Sequence, residues 1–357
     1  MPWPDDNIEG SMKLMILGTG NMALAHVRAF KAIAGVEVVA ACDSVEGRAA
    51  AFAKEHGLAK SYASLEAALS AGGFDSVTNV TPDSIHSPTT LACLAAGKHV
   101  LCEKPLAENY AKAMEMTKAA EKAKRINMVN LSYRNVPALQ KARELVTAGT
   151  VGEIRHVEAS YRQSWLVSNA WGDWKSQPTW LWRLSEQHGS KGVLGDVGIH
   201  ILDFTTFATG LEPTSLQARL KTFHKAPGDK IGEYTLDAND SAVMSVEFGN
   251  GALGVIHASR FMTGYANTLR LHIFGTLGAL EIDHGQGSTT LKLCEDANVH
   301  TQAWREVQCP PTPTNFEKFV DAVRTGKNGD PDFAHATKLQ KVLDACYDPA
   351  AAKGVAL

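Results

Sequence analysis

The sequence lacks any apolar run of the length that a membrane-spanning helix needs. None of its apolar stretches approaches the roughly 18 residues of such a helix. Residues 1–11 are polar, contain two prolines, and lack the basic start and apolar centre of a signal peptide. We therefore expect no membrane partner, and we expect residues 1–11 to be a leader or a disordered extension before a folded chain that starts near Met12.

An excess of charge of one sign and a cysteine framework are also missing. The formal net charge is −3 at pH 7, so the chain has no basic surface for nucleic acid or for an anionic membrane. The six cysteines are scattered and include no C-x-x-C pair. This usage excludes a disulfide-rich secreted domain and favours a reducing, cytoplasmic location.

What remains is the composition of a globular protein. Hydrophobic residues make up 45% of the chain and charged residues 20%, as in ordinary soluble domains. A length of 357 residues exceeds the size at which a single core stops growing. The sequence therefore predicts two domains.

The first third of the chain alternates short apolar segments with helical segments. Strands are predicted at 13–17, 37–42, 76–80, 99–102 and 127–131, and helices at 22–34, 46–56, 84–96 and 107–124. Strands and helices that alternate with short connections form a doubly wound parallel sheet with helices on both faces. The predicted first domain, of the α/β class, spans residues 12–132.

The pattern changes after about residue 150. Successive strands are predicted at 154–162, 215–223, 241–248, 252–260, 269–275, 279–283 and 290–293, with hairpin turns at 249–251 and 276–278. Helices are predicted at 191–209, 315–325 and 335–346. Residues 133–357 should therefore form an α+β domain with an open, mostly antiparallel sheet, whose terminal helix could pack back on the first domain.

A glycine-rich turn follows the first predicted strand. In Gly18-Thr19-Gly20-Asn21-Met22-Ala23, the first glycine permits a tight turn and the second lets a pyrophosphate approach the backbone. The helix that starts near Asn21 directs its amide groups at the phosphates. Dinucleotide contacts are therefore predicted for Gly18, Gly20, Asn21 and Met22, although a turn without a ligand can have the same letters.

An acidic residue follows the second strand. Asp43 can accept hydrogen bonds from the adenosine ribose hydroxyls, and its charge disfavours a 2′-phosphate. Neighbouring Ser44 and Arg48 could soften that exclusion if Arg48 turns inward. An alternative is that Asp43 caps the next helix. The sequence favours NAD and leaves NADP open.

Two further segments follow strands at the carboxyl edge, where such sheets bind ligands. One is Thr81-Pro82-Asp83-Ser84-Ile85-His86 and the other is Glu103-Lys104-Pro105. Cofactor contacts are predicted for Thr81, Pro82, His86, Glu103 and Lys104. Lys104 alone would be equally compatible with a surface charge.

A third segment offers acid–base groups at helical spacing. Asp196 and His200 are four residues apart and share a helix face, with Asp203 one turn further on. Histidine can accept the proton that an alcohol must lose on oxidation, and a carboxylate can orient it or the substrate. A buried histidine beside an aspartate is the alternative. A metal site is disfavoured because no cysteine or second histidine joins the group.

Together these motifs resemble the Gfo/Idh/MocA oxidoreductase family, which includes glucose–fructose oxidoreductase and inositol dehydrogenases. The ordered set is G-x-G-x-x-A, T-P-x-x-x-H, A-G-K-H-V-x-C-E-K-P and D-x-G-x-H-x-x-D, and the resemblance extends over nearly the whole chain from Met12. It implies a Rossmann domain followed by an open sheet that commonly supports oligomers, so a homodimer or homotetramer is expected. It also implies that Lys104 lies near the nicotinamide ribose and the substrate hydroxyl, that Asp196 and His200 are catalytic with His200 as proton acceptor, and that Tyr133 and Arg134 lie near the substrate.

Two departures from the family pattern concern local environment. Members often have Thr-Pro-Asn where this chain has Asp83, and often have a glycine run where this chain reads Gly189-Ser190-Lys191-Gly192. The first makes the predicted nicotinamide environment more acidic. The second leaves the shape of the loop before the catalytic helix open.

Five tryptophans lie close together at 165, 171, 174, 180 and 182. Flat aromatic faces beside polar groups suit a sugar or cyclitol ring, so substrate contacts are predicted for Arg162, Trp174 and Arg183. A core or an oligomer contact is the alternative role for the tryptophans. The sequence thus predicts an NAD(P)-dependent oxidation of a secondary hydroxyl. The alternatives are a glycosidase that uses NAD transiently, a non-catalytic sugar sensor, and an oxidoreductase for dihydrodiols or imines.

Overall fold

The protein is described by a computed structural model over residues 11–357. The predicted leader thus lies, apart from Ser11, outside the described residues. Within them, no helix has the length and apolar character needed to cross a membrane. The strands are β1 Met12–Leu17, β2 Val36–Cys42, β3 Lys60–Tyr62, β4 Ser76–Asn79, β5 His99–Cys102, β6 Asn127–Val129, β7 Ile154–Arg162, β8 Pro213–Lys221, β9 Lys230–Ile231, β10 Tyr234–Thr235, β11 Ser241–Phe248, β12 Leu253–Ser259, β13 Thr268–Gly275, β14 Gly278–Gly285, β15 Ser288–Glu295, β16 Arg305–Glu306 and β17 Val355–Ala356.

Helices occupy much of the remaining described chain. They are α1 Asn21–Lys31, α2 Arg48–His56, α3 Leu65–Ala71, α4 Asp83–Ala95, α5 Tyr110–Ala123, α6 Pro137–Thr147, α7 Pro178–Leu181, α8 Ile199–Thr209, α9 Asn298–Thr301, α10 Asn315–Thr325 and α11 Phe333–Tyr347. A π-helical turn, Leu194–Gly198, runs directly into α8. The chain divides into two compact units, unit 1 with residues 11–132 and 313–340, and unit 2 with residues 133–312 and 341–357.

Unit 1 contains a six-stranded sheet in the order β3-β2-β1-β4-β5-β6. All five strand pairs are parallel, which confirms the predicted doubly wound sheet. The chain reverses its direction of winding between β1 and β4. The carboxyl ends of these two strands therefore flank the point where sheets of this type bind a dinucleotide.

The core of unit 1 includes a helix from near the end of the chain. Phe319, Val320 and Val323 of α10 are buried in one cluster with Ile16 of β1 and Phe30 of α1. The sequence-based boundary put residues 313–340 in the second domain. The structure assigns them to unit 1, because the apolar face of α10 covers α1 and the sheet there.

Unit 2 contains a nine-stranded sheet in the order β16-β15-β14-β13-β7-β12-β11-β8-β17. The β7–β12 pair is parallel and the other pairs are antiparallel, so the predicted mostly antiparallel sheet is confirmed. Helix α8 packs against β7, β12 and β13. This packing holds the segment that carries Asp196 and His200 against one face of the sheet.

Candidate active site

The glycine-rich turn of unit 1 has the geometry of a phosphate cradle. Gly18 has φ +90°, and a Cβ atom there would lie 2.8 Å from the carbonyl oxygen of Val80 and 2.9 Å from the amide nitrogen of Thr81. Only glycine tolerates both the conformation and the approach. Gly20 is the N-cap of α1 and no side chain caps this helix, while Asn21 and Met22 are exposed. The first amides of α1 are therefore suited to bind a pyrophosphate.

Asp43 lies directly after β2 and is bonded to the same turn. One carboxylate oxygen accepts from the amide and the hydroxyl of Thr19, at 2.8 and 2.7 Å, and the other accepts from the amide of Val45 at 2.9 Å. Partial burial raises the pKa of Asp43, but these bonds and the charge of Arg48 outweigh it and lower the pKa overall. The proposed capping role for Asp43 is wrong, since α2 starts at Arg48 with Gly47 as its N-cap.

Arg48 turns toward the glycine turn. Its Nε lies 4.0 Å from the Asp43 carboxylate, and one of its terminal nitrogens lies 3.9 Å from where a Cβ of Gly20 would be. Ser44, which lies between Asp43 and Arg48 in the sequence, is exposed. This arrangement leaves a cation beside the Asp43 carboxylate.

Glu103 belongs to a buried network. Its carboxylate accepts from His26 at 2.9 Å, from Asn130 at 2.7 Å, and from the backbone amide of Lys104 at 3.1 Å. Burial opposes its ionisation, but the bonds from His26 and Asn130 and the charge of Lys104 bring the pKa of Glu103 down to about 2. The Glu103 side chain is therefore committed to this network, and its carboxylate anchors the backbone of Lys104, a half-buried residue. A cofactor contact of Glu103 stays a prediction.

His86 is also inside the protein. Its side chain has no exposed surface, and its ring nitrogens face the carbonyl oxygens of Thr81 and Pro105, each at 2.8 Å. The imidazole has no atom left to contact a cofactor, so that prediction is wrong. Thr81 itself is half-buried, bonded to the Asn79 side chain at 2.7 Å, and Pro82 is exposed at the start of α4.

The Asp196–His200 segment of unit 2 begins with the π-helical turn. The Asp196 carboxylate lies 3.2 Å from Nη2 of Arg260 and 3.9 Å from Nε of Arg183. Arg260 is fully buried, whereas the Asp196 side chain is 27% exposed. Two guanidinium groups thus hold a partly accessible carboxylate, which can accept hydrogen bonds from a hydroxyl-bearing ligand.

Aromatic rings hold His200 in place. The ring of Tyr133 meets that of His200 edge to face with centroids 4.9 Å apart. The Tyr133 hydroxyl bonds the Tyr161 hydroxyl at 2.5 Å, which in turn donates to Asn267 at 3.0 Å. Burial raises the pKa of both tyrosines, so they stay protonated as neutral donors. Tyr133 therefore orients His200.

Arg134 and Asp203 do not face a substrate. They form a buried bidentate ion pair with distances of 2.7 to 3.0 Å, and the guanidinium lies over the ring of Phe207 at 4.0 Å. Arg134 is only 1% exposed. The predicted substrate contact for Arg134 is wrong, because the aspartate one turn beyond His200 binds it.

The tryptophans form mainly a core. Trp165 and Trp174 are buried in a cluster with Leu166 and Leu184, and Trp174 donates to the Leu166 carbonyl at 3.2 Å. The predicted substrate contact for Trp174 is therefore wrong, and the alternative of a core holds for it. Trp182 is 38% exposed.

The remaining two predicted substrate residues are arginines. Arg183 lies over the ring of Trp182 at 4.5 Å and beside Asp196. Arg162 donates to Ser160 at 2.9 Å and lies over the ring of Tyr265. Arg183 thus joins Asp196 in one group, whereas Arg162 contacts Ser160 of its own strand and Tyr265.

Sequence reasoning missed Arg260 and His26. Arg260 ends a predicted strand, where a lone arginine gives no signal of an aspartate 64 residues away. His26 lies on α1 after the glycine turn. Its helical spacing from the apolar residues Ala23 and Phe30 was the available signal that it is buried. Within residues 11–357 no group of three or more histidine, cysteine, aspartate or glutamate side chains is arranged to hold a metal ion.

Comparison with known proteins accounts for both units. Residues 12–131 match a family described as an oxidoreductase family with an NAD-binding Rossmann fold, and residues 139–281 match the GFO/IDH/MocA C-terminal domain. A 1,5-anhydro-D-fructose reductase from Ensifer adhaerens is 30% identical over 88% of this chain and 87% of its own length. A levoglucosan dehydrogenase from Pseudarthrobacter phenanthrenivorans is 26% identical over 76% of each chain.

A solved structure is similar over nearly the whole chain. The oxidoreductase domain protein from Kribbella flavida is 29% identical, with a TM-score of 0.83 over 97% of this chain and 99% of that one. The similarity therefore covers the glycine turn, the Lys104 segment and the Asp196–His200 helix.

Proposed function

Because the chain belongs to the Gfo/Idh/MocA oxidoreductase family, we propose that it oxidises a secondary hydroxyl of a sugar, sugar derivative or cyclitol. The family, the NAD-binding domain and the oxidoreductase class predicted from the sequence are confirmed. The substrate class is inferred. The observation that carries it is the partly exposed Asp196 carboxylate, which Arg183 and Arg260 hold on the His200 segment.

The cofactor fits the residues of unit 1. Gly18, Gly20 and the amides at Asn21 and Met22 would hold the pyrophosphate, and Asp43 would bind the adenosine ribose. When bound, NAD supplies the acceptor for the hydride that leaves the substrate carbon. Arg48 is placed to tolerate a 2′-phosphate only if the Asp43 charge is removed.

The proton is handled by three side chains. His200 accepts the proton of the reacting hydroxyl, because a neutral imidazole is a base near neutral pH. Lys104 donates a hydrogen bond to the same oxygen and stabilises the negative charge that develops on it. Asp196 accepts a hydrogen bond from a neighbouring substrate hydroxyl or from the imidazole.

The sugar ring is proposed to contact the exposed face of Trp182 and the guanidinium of Arg183. Aromatic faces contact the C–H surfaces of pyranose rings, while Arg183 and Asp196 can bond the hydroxyls at their edges. Two relatives named for sugar derivatives, the levoglucosan dehydrogenase and the 1,5-anhydro-D-fructose reductase, support this class.

The test is a panel of pyranoses, anhydrosugars, glycosides, inositols and sugar acids with NAD and NADP, following the absorbance of the reduced nicotinamide. Reduction of NAD with at least one of them is the expected result. Release of a free leaving group without net NADH would point to NAD-dependent glycoside cleavage. Sugar binding in calorimetry without any turnover would point to a sensor, and both outcomes would contradict the proposal.

Cofactor choice gives a prediction for Asp43. Replacing Asp43 by serine removes the carboxylate that repels a 2′-phosphate, and leaves Arg48 to pair with that phosphate. We expect the Asp43→Ser variant to raise the ratio of kcat/KM for NADP to that for NAD by at least tenfold.

The control is Asp75→Ser, which removes an aspartate bonded to the amide of Lys13 at the opposite end of β1. It should leave the cofactor ratio unchanged. A wild-type protein that already prefers NADP strongly would show that Asp43 does not bind the ribose.

A homodimer or a tetramer of closed symmetry is the assembly that we propose. Exposed apolar side chains lie on neighbouring strands of the nine-stranded sheet, with Val243 50%, Leu253 58% and Val255 38% exposed. They project from the exposed positions of paired strands β11 and β12. Contiguous exposed apolar surface of this kind marks an interface.

Light scattering at micromolar concentration should give the mass of a dimer or tetramer, and Leu253→Glu should lower it. Leu277→Glu, an equally exposed leucine in the β13–β14 turn, is the control that should keep the wild-type mass. A monomeric wild type would contradict the proposal.

The six cysteines are all free, which supports the proposed cytoplasmic location.

A further inference from the structure

His86 is a buried histidine whose two ring nitrogens both face acceptors. Nδ1 lies 2.8 Å from the carbonyl oxygen of Pro105, and Nε2 lies 2.8 Å from the carbonyl oxygen of Thr81. A carbonyl oxygen can only accept a hydrogen bond, so each nitrogen must carry a proton. A neutral imidazole has one N–H group and would set a lone pair against one of the two oxygens.

We infer that His86 is held as an imidazolium and is a positioning residue. It fixes the backbone at Thr81, beside the glycine turn, and at Pro105, beside Lys104. Thr81 follows β4 and Pro105 follows Lys104, so one cation connects the two loops at the carboxyl edge of the sheet. This inference rests on the proposed role of Lys104, although the protonation state of His86 can be tested without it.

The Thr81 side of the clamp also reaches the glycine turn. The backbone of Val80 and Thr81 packs within 2.9 Å of the position that a Cβ of Gly18 would take. The Asn79 side-chain oxygen accepts hydrogen bonds from the amide and the hydroxyl of Thr81, at 3.2 and 2.7 Å. Through Thr81 the imidazolium therefore sets the wall of the phosphate cradle, and through Pro105 it sets the backbone beside Lys104.

The groups around His86 support the charge. Asp83 lies in the first turn of α4, and Cys102 lies at the end of β5. Burial by itself lowers the pKa of His86, but the interactions with Cys102 and Asp83 and the bond to Pro105 outweigh it and raise the pKa to about 10. A raised pKa means that the stabilisation is complete below about pH 6.5, the value for free imidazole, and is lost as the pH rises through about 10.

Ring ¹⁵N chemical shifts of protein labelled with [¹⁵N]histidine test the protonation state directly. Comparison with His86→Gln assigns the His86 signals among those of the 13 histidines. At pH 8, where a free imidazole is neutral, both nitrogens of His86 should be protonated. A single protonated nitrogen at pH 8 would overturn the inference, whatever the enzyme's activity.

Kinetics test the positioning role. His86→Gln carries both of its N–H donors on one nitrogen and cannot reproduce the two separate ring nitrogens that face the two carbonyls. We therefore expect kcat to fall by at least tenfold, since a small misplacement of a catalytic group can cost about 10². In the Lys104→Met background the same substitution should change the residual rate by less than about twofold, because there is no lysine left to position. An equal fold-loss of kcat in the wild-type and Lys104→Met backgrounds would show that His86 has only a structural role, which would overturn the positioning inference.

The matched control is His99→Gln, a buried histidine of β5 in the same sheet whose Nδ1 accepts from the amide of Ile126. It should lower the melting temperature without lowering kcat of the folded protein. Melting curves of both variants establish that the assays are made on folded protein. A loss of kcat in His99→Gln as large as that in His86→Gln would remove the distinction and contradict the inference.

Discussion

Replacement of Lys104 by methionine is expected to lower kcat by about 10² to 10³ while leaving the fold intact. Lys104 lies two residues after the end of β5, and its backbone is fixed by the bond from its amide to the Glu103 carboxylate. An ammonium at this position can donate to the reacting oxygen as negative charge develops on it. Methionine preserves the length of the apolar stem and removes only the donor and the charge.

The matched control is Lys118→Met, an exposed lysine on α5 of the same unit, which should keep kcat within a factor of about two. Both proteins should unfold at temperatures close to that of the wild type. If Lys104→Met retains turnover within a factor of about three of the wild type, this lysine has no part in the chemical step.

Most of the elements could be predicted because their patterns are local. The apolar runs of β1 and β5 gave the positions of these strands within one residue. Strand β3 was missed because Lys60–Tyr62 contains only three residues, none of them buried. The π-helical turn before α8 was also missed, since Gly195 and Gly198 fit a regular helix equally well in sequence.

The site was harder to predict because several side chains are explained only by distant partners. The sequence predicts Arg134 as a substrate residue, but Asp203, 69 residues away, binds its guanidinium. Glu103 and His26 are 77 residues apart and share one buried bond. Spacing on a helix or at a strand end shows which residues can approach a ligand. It does not show which of them bind other side chains of the protein instead.

Asp196 also has distant partners that its sequence spacing does not reveal. Its spacing to His200 indicated a reactive pair, and the structure adds Arg183 and Arg260, whose guanidinium groups lie 3.9 and 3.2 Å from the carboxylate. Asp196→Asn should therefore weaken both substrate binding and turnover. It also leaves the guanidinium of buried Arg260 without its carboxylate, so the variant needs a stability measurement beside its kinetics.

The pH dependence of kcat/KM is expected to identify His200 as the base. Only a neutral imidazole can accept the hydroxyl proton, so kcat/KM for oxidation should rise with pH as the imidazole of the free enzyme loses its proton. The edge-to-face contact with Tyr133 holds the ring in one orientation for that transfer. His200→Ala should lose the rise together with most of the rate, by about 10² to 10⁴.

His188→Ala provides the control for this profile, because His188 belongs to the same unit and bonds Ser185 instead of lying on α8. Its profile should match that of the wild type, with kcat within a factor of about two. If His200→Ala keeps both the wild-type rise and a measurable fraction of the rate at every pH, the proton acceptor is a different group. Lys104 would then be the first residue to test as the base, because the neutral amine form of a lysine can accept the hydroxyl proton itself, and the Lys104→Met variant would be the one to lose the rise.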